Sequence, residues 1–203
     1  MVIAMLLVVP ALLGSMCASG GQEDGPSCES TRPARPLSQS PASALQVGSL
    51  TLGVSSVADV ISVFGDTNRL PRRESEPERM CYQRNGLIIY FDAGAAGGWT
   101  YLTGYRVAQA KRSASDVCAD TTKDFSGSWA ARMLQAHVDQ SGVIRRLGKP
   151  TCRRPDVILY VYERSEITTE KGRQVETDRV ATIEYSFIHG KLAGVSVHYT
   201  ETT

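Results

Sequence analysis

Apolar side chains recur at Val57, Val60, Ile61 and Phe64, the i, i+3, i+4, i+7 spacing of one helix face. Ser56, with Asp59 three residues on, reads as a capping box at the start of that helix. Gly65 supplies the residue at which such helices commonly stop. The spacing therefore predicts a helix over 57–64. A second predicted helix, Val143-Ile144-Arg145-Arg146-Leu147-Gly148, repeats the pattern, and Pro150 blocks its continuation. Trp129 to Val138 is rich in helix formers and predicts a helix just before it, and Ala42 to Leu52 is a weaker counterpart in the first half. After each helix the period changes to two. Leu87, Ile89 and Phe91 alternate with Ile88, Tyr90 and Asp92, and Ile183, Tyr185 and Phe187 alternate with Glu184, Ser186 and Ile188. Val157 to Tyr162 is a continuous apolar and aromatic run, which reads as a strand covered on both faces. His189-Gly190 between two strand patterns reads as a tight hairpin turn.

These elements recur in order. Val60-Ile61 to Phe64-Gly65 matches Val143-Ile144 to Leu147-Gly148. Leu87, Ile89, Phe91 and Gly94 match Ile183, Tyr185, Phe187 and Gly190, and Leu102, Gly104 and Val107 match Leu192, Gly194 and Val197. The expected fold is α+β, in two tandem helix-helix-antiparallel sheet units of about three strands each. Residues 47–118 form the first unit and 119–203 the second. A signal peptide over 1–19 and a disordered tether over 20–46 precede them.

The Leu52-Gly53 pair, Val57, Gly65, Phe91 and Gly94 carry a resemblance in the first unit. Val143, Leu147-Gly148, Pro150 and Phe187 to Leu192 carry it in the second. The pattern resembles the small lipoprotein component of the outer-membrane β-barrel assembly machinery. It is also similar to the tandem-repeat fold of the β-lactamase inhibitor protein. The resemblance implies helix pairs packed on antiparallel sheets, repeated twice. It fixes no activity, because the fold hosts unrelated binding roles.

The first 13 residues are almost wholly apolar and are followed by small residues, as in a secretory leader, and the run is too short to span a bilayer. Cys17 stands where a lipoprotein would carry its lipid, so lipidation and simple cleavage are both open. Residues 20–46 are dominated by Gly, Ser, Pro, Gln and Glu and hold little to bury. With 22 basic and 21 acidic side chains the formal net charge is +1, which removes the electrostatic case for nucleic-acid binding.

Candidate chemistry is sparse. The three histidines, His137, His189 and His198, show no metal-ligand spacing, and no P-loop, nucleophile-elbow or dinucleotide motif occurs. We expect no catalytic residues, no cofactor and no metal. Of the five cysteines, Cys81 and Cys118 flank the same small predicted sheet and are expected to form a disulfide, while Cys28 and Cys152 either pair or stay free. Arg69, Arg72 and Arg73 after one helix, and Lys149, Arg153 and Arg154 after the other, are either a basic rim or solvated loops. If Leu87, Ile89 and Phe91 face the helices, then Tyr90, Arg106, Glu184 and His198 share the other sheet face. With Trp99 and Tyr101 beside the glycine-rich loop, they form the expected partner surface. The expected function is a non-enzymatic protein-binding module of the bacterial cell envelope, exported and either periplasmic, membrane-anchored or secreted. The alternatives are a membrane-tethered assembly or structural lipoprotein and a soluble inhibitor of a secreted enzyme. In each case the partner is another protein.

Overall fold

The computed structural model describes residues 33–67, 78–96, 99–110, 118–170 and 173–203. The leader, Cys17, Cys28 and the arginines at 69, 72 and 73 lie outside the described residues.

The chain begins with a two-residue strand β1 (Arg35–Pro36), two 3-10 turns, and a small hairpin of β2 (Gln46–Val47) and β3 (Leu50–Thr51). Helix α1 (Val57–Phe64) follows, then three long strands, β4 (Glu78–Arg84), β5 (Leu87–Ala96) and β6 (Trp99–Gln109). A two-residue strand β7 (Ala119–Asp120) leads to α2 (Trp129–Gln135) and α3 (Gln140–Leu147). The chain closes with β8 (Cys152–Arg153), β9 (Val157–Glu170), β10 (Arg173–Ile188) and β11 (Lys191–Thr202).

The helices start and stop as their sequences direct. The Ser56 side chain accepts the Asp59 amide while the Asp59 carboxylate accepts the Ser56 amide, a reciprocal capping box. Ser128 caps α2 and Asp139 caps α3. Gly65 and Gly148 follow α1 and α3 at φ of 92° and 76°, backbone that a side chain would strain. His137 falls just past α2 in a left-handed turn rather than on the helix.

The tandem-unit architecture is overturned. Nine strands form one continuous mixed sheet, ordered β1-β9-β10-β11-β6-β5-β4-β7, with β8 also on β9. Strands β6 and β11 pair from Gly104↔His198 to Ala108↔Gly194, so two exposed edges are satisfied by each other. The helix pair exists only in the second half. In the first half Ala42–Leu45 is a 3-10 turn, and the residues after it form the β2–β3 hairpin. That stretch is interrupted by Gly48, whose φ of 62° turns the chain out of any right-handed helix. Part of the expected tether is folded as well. Arg35 pairs with Tyr162 on β9, and its guanidinium donates to the carbonyls of Leu147 at 2.7 Å and Lys149 at 2.5 Å. The same group stands 5.1 Å from the Tyr160 ring centroid, so one cation ties the incoming chain to the C-terminus of α3 and to the sheet.

The two ends of the sheet are built by exchange. Strand β1, which precedes α1, adds in parallel to β9 of the second half. Strand β7, which precedes α2, adds in parallel to β4 of the first half. Both meanders also carry a bulge at a matching place, between Asp92 and Ala93 opposite Gly104 and Leu102, and between Ser186 and Phe187 opposite Gly194 and Leu192. The bulges align Phe91 with Tyr185. The sequence match had set Phe91 against Phe187, two residues away on the same face.

One face of the sheet is covered by the helices. Ile89, Phe91, Tyr105, Val107, Tyr160, Ile183, Tyr185, Val195 and Val197 are fully buried there. Under α1, Phe64 sits 5.2 Å from both Tyr82 and Phe91 and 6.3 Å from Phe125. Under α2, Trp129 packs edge-on to Tyr185 at 5.9 Å, and Tyr160 meets Tyr185 at the same distance. The Tyr82 hydroxyl donates to the Gly65 carbonyl at 2.8 Å, and Tyr160 donates to Gly148 at 2.7 Å, so the two helix ends are held alike.

Candidate functional site

Among the described residues, the opposite face carries no helix. Side chains there alternate with the buried set, so the β-strand period alone places them. One row runs straight across five strands through successive pairings: Tyr90 on β5, Arg106 on β6, Ser196 on β11, Glu184 on β10 and Leu159 on β9. Arg106 is exposed and the other four are half-buried. The row ends at a cysteine on either side. Cys81 is the partner of Tyr90 on β4, and Cys152 is the partner of Leu159 on β8.

Cys81 is bonded to Cys118, with Cα atoms 4.8 Å apart, and both are buried. This is the expected pairing. The parallel pairing of β7 with β4, Tyr82 against Ala119, sets Cys118 beside Cys81. Cys152 is also disulfide-bonded. The row is thus bounded by covalent links at both edges of the sheet.

Two glycines keep the centre of this face low. A Cβ on Gly104 would lie 2.7 Å from His198 Nδ1, and one on Gly194 would lie 2.8 Å from Ser186 Oγ and 3.5 Å from Arg106 Nε. The His198 ring therefore lies over one bare stretch of backbone and the Arg106 guanidinium over the other. Below the central row stand Ile88, Ala108, Gly194, Ser186 and Val157. Above it stand Asp92, Gly104, His198, Thr182 and Val161.

The charges of the central row differ from those around it. Arg79 donates to the buried Asp92 carboxylate at 2.7 Å and stands 5.9 Å from the Tyr90 ring centroid. At the far end of β9 and β10, Arg179 bonds Glu166 at 3.0 Å and Glu201 at 3.1 Å, with Arg164 beside Glu166. The Arg179 guanidinium lowers the Glu201 carboxyl below its ordinary range. Arg106, Glu184 and His198 have no hydrogen-bond or ion-pair partner among the described residues.

Of the sequence-predicted surface, Tyr90, Arg106 and Glu184 are brought into one row and His198 into the next. Tyr101 is half-buried beyond the β6 bulge, two rows from Arg106, and is not part of the group. Trp99 opens β6, but its side chain lies outside the described residues. Sequence reasoning missed Val157, Leu159 and Val161, because a run of apolar residues hides its own period. Ile158, Tyr160 and Tyr162 are buried, whereas Val157, Leu159 and Val161 are half-exposed on the open face, so this strand is not covered on both sides.

A shallow groove of about 330 Å³ lies between the β4–β5 turn and the end of α2, lined by Asn85, Gln109, Gln135 and His137. Among the described residues, no group of three or more His, Cys, Asp or Glu side chains is placed to hold a metal ion, and no helix is long and apolar enough to cross a membrane. No family model, no curated protein and no solved structure matches this chain.

Proposed function

We propose that the chain is a non-enzymatic protein-binding module of the bacterial cell envelope, and that the open sheet face is its contact surface. The observation that carries this reading is the central row. It holds an aromatic and an aliphatic side chain half-exposed at its ends and a cation and an anion without partners between them. Protein interfaces combine such apolar anchors with polar groups that find partners across the contact. Burying unpaired charges against nothing would only cost free energy. The disulfide-bonded cysteines support export, because such bonds persist in oxidising compartments. The leader pattern supports the same address.

The test is capture of partners from envelope extract by the wild type and by Tyr90→Ala. Tyr90 is half-exposed, so the variant should unfold at an unchanged temperature while capture falls roughly tenfold, as for an aromatic anchor. Undiminished capture removes this face from the interface. Intact mass of the exported chain separates the anchored form, lipidated at Cys17, from the soluble one.

A further inference from the structure

The order of side chains along the central row suits one partner in particular. Read outward from Ser196 on β11, the row is Arg106 then Tyr90 on one side, and Glu184 then Leu159 on the other. Position by position, a cation stands opposite an anion, and an aromatic stands opposite an aliphatic. Strands in a sheet are evenly spaced, about 4.8 Å apart, so the two arms are of equal length. Such a row is complementary to itself when turned over about an axis running along β11.

We propose that the open face pairs with the same face of a second copy of this chain, about a two-fold axis parallel to β11 and passing over Ser196. The operation sets Arg106 against Glu184 of the other copy and Glu184 against its Arg106. It sets Tyr90 against Leu159 in both directions. In the row below, centred on Gly194, it sets Ile88 against Val157 and Ala108 against Ser186. Each contact occurs twice, as a closed two-fold interface requires. Stacked sheets lie about 10 Å apart, a gap that an arginine and a glutamate extended towards one another close. The alternative two-fold, along the row itself, sets Arg106 on Arg106 and Glu184 on Glu184, so charge selects the first axis. Within one chain Arg106 and Glu184 are two strands apart with Ser196 between them, and they remain without partners.

This inference rests on the open face being the contact surface, and the experiment separates the two. Sedimentation velocity of the full chain should show a monomer–dimer equilibrium that weakens with salt. Arg106→Glu and Glu184→Arg, made separately, should each raise the dissociation constant roughly a hundredfold, since each turns two attractive contacts into two repulsive ones. Mixed in equal amounts, the two variants should dimerise again as a heterodimer, because each new charge then meets its opposite. That recovery also shows that both variants are folded. A wild type that stays monomeric at high concentration overturns the proposal. So does a dimer indifferent to either reversal, or a mixture that fails to recover. A monomeric chain whose capture of another envelope protein is still lost in Tyr90→Ala would overturn the self-pairing while leaving the face as the contact surface.

Discussion

The first half of the sheet, β4 to β6, and the second, β9 to β11, use the same device under different cover. Each receives a helix that ends at a glycine of positive φ, and in each a tyrosine from the first long strand bonds that glycine's carbonyl. The cover differs. Under α1 a buried phenylalanine, Phe64, touches three aromatic rings, whereas the matching residue of α3, Leu147, is only half-buried. The second half compensates with a further helix, α2, and with Trp129 and a cluster of tyrosines beneath it. The sheet and its helix anchor are therefore the shared frame, and the packing above it is free to vary. The described cysteines follow the edges, Cys81 on β4 and Cys152 on β8.

The comparison can be broken most forcefully at the edge. Replacing both Cys81 and Cys118 by serine frees a loop spanning 37 residues, and the chain-entropy model assigns that constraint about 4 kcal/mol of unfolding free energy. Urea denaturation measures it. Peptide mapping without reduction should recover Cys81 linked to Cys118, and free thiols at both positions would sink the assignment.

A smaller effect sharpens the contrast between covers. Phe64→Ala leaves a cavity among three rings and should cost about 3 kcal/mol, and Leu147→Ala, half-exposed, about half as much. Equal losses would mean that the two helices contribute alike despite their different contacts.

The smallest effects concern hydroxyl groups. Tyr82→Phe and Tyr160→Phe each remove one bond to a helix-ending carbonyl and should each cost about 1 kcal/mol. Tyr185→Phe should act in the opposite sense. Its hydroxyl is buried without a hydrogen-bond partner, so deleting it should stabilise the protein by about 1 kcal/mol. Burial raises the Tyr82 phenol to about 12, with Asp66 adding to the effect, and burial likewise raises Tyr160 to about 12 against the opposing pull of Arg35. A phenol raised in the folded state contributes stability that is complete below pH ~10, its unfolded value, and is lost as pH climbs through 12. Phenolate absorbance should therefore lag in the native protein and appear together with alkaline unfolding. A complete titration near pH 10 with the fold intact would refute it.

Much of this was legible in the chain. Helices α1 and α3, their caps and their terminal glycines are local, and local spacing revealed them. The parity of β5, β6, β10 and β11 was legible because polar residues alternate with apolar ones. Asn85-Gly86 had the same hairpin chemistry as His189-Gly190, with φ of 51° and 75° in both turns, and went unread. The joining of β6 to β11 could not be read, because an edge strand's hydrogen bonds leave no mark on composition. The pairing of β1 and β7 with distant strands was hidden for the same reason, since two residues carry no period. Arg106 and Glu184 were each placed on the open face, but their symmetry about Ser196 requires the register of two strand pairs.

The exchanged lead strands set a timetable for folding. Arg35 and its neighbour Tyr162 stand 127 positions apart in the chain, and β1 pairs midway along β9, so a ribosome or an export channel must deliver the first half of β9 before the earliest described segment can dock. Closing a loop of that length is entropically dear and slow, and it raises the contact order of an otherwise meander-like topology. A segment that emerges early is consequently late to settle. Its docking locks α3 through Arg35, so a segment made early waits on one made late.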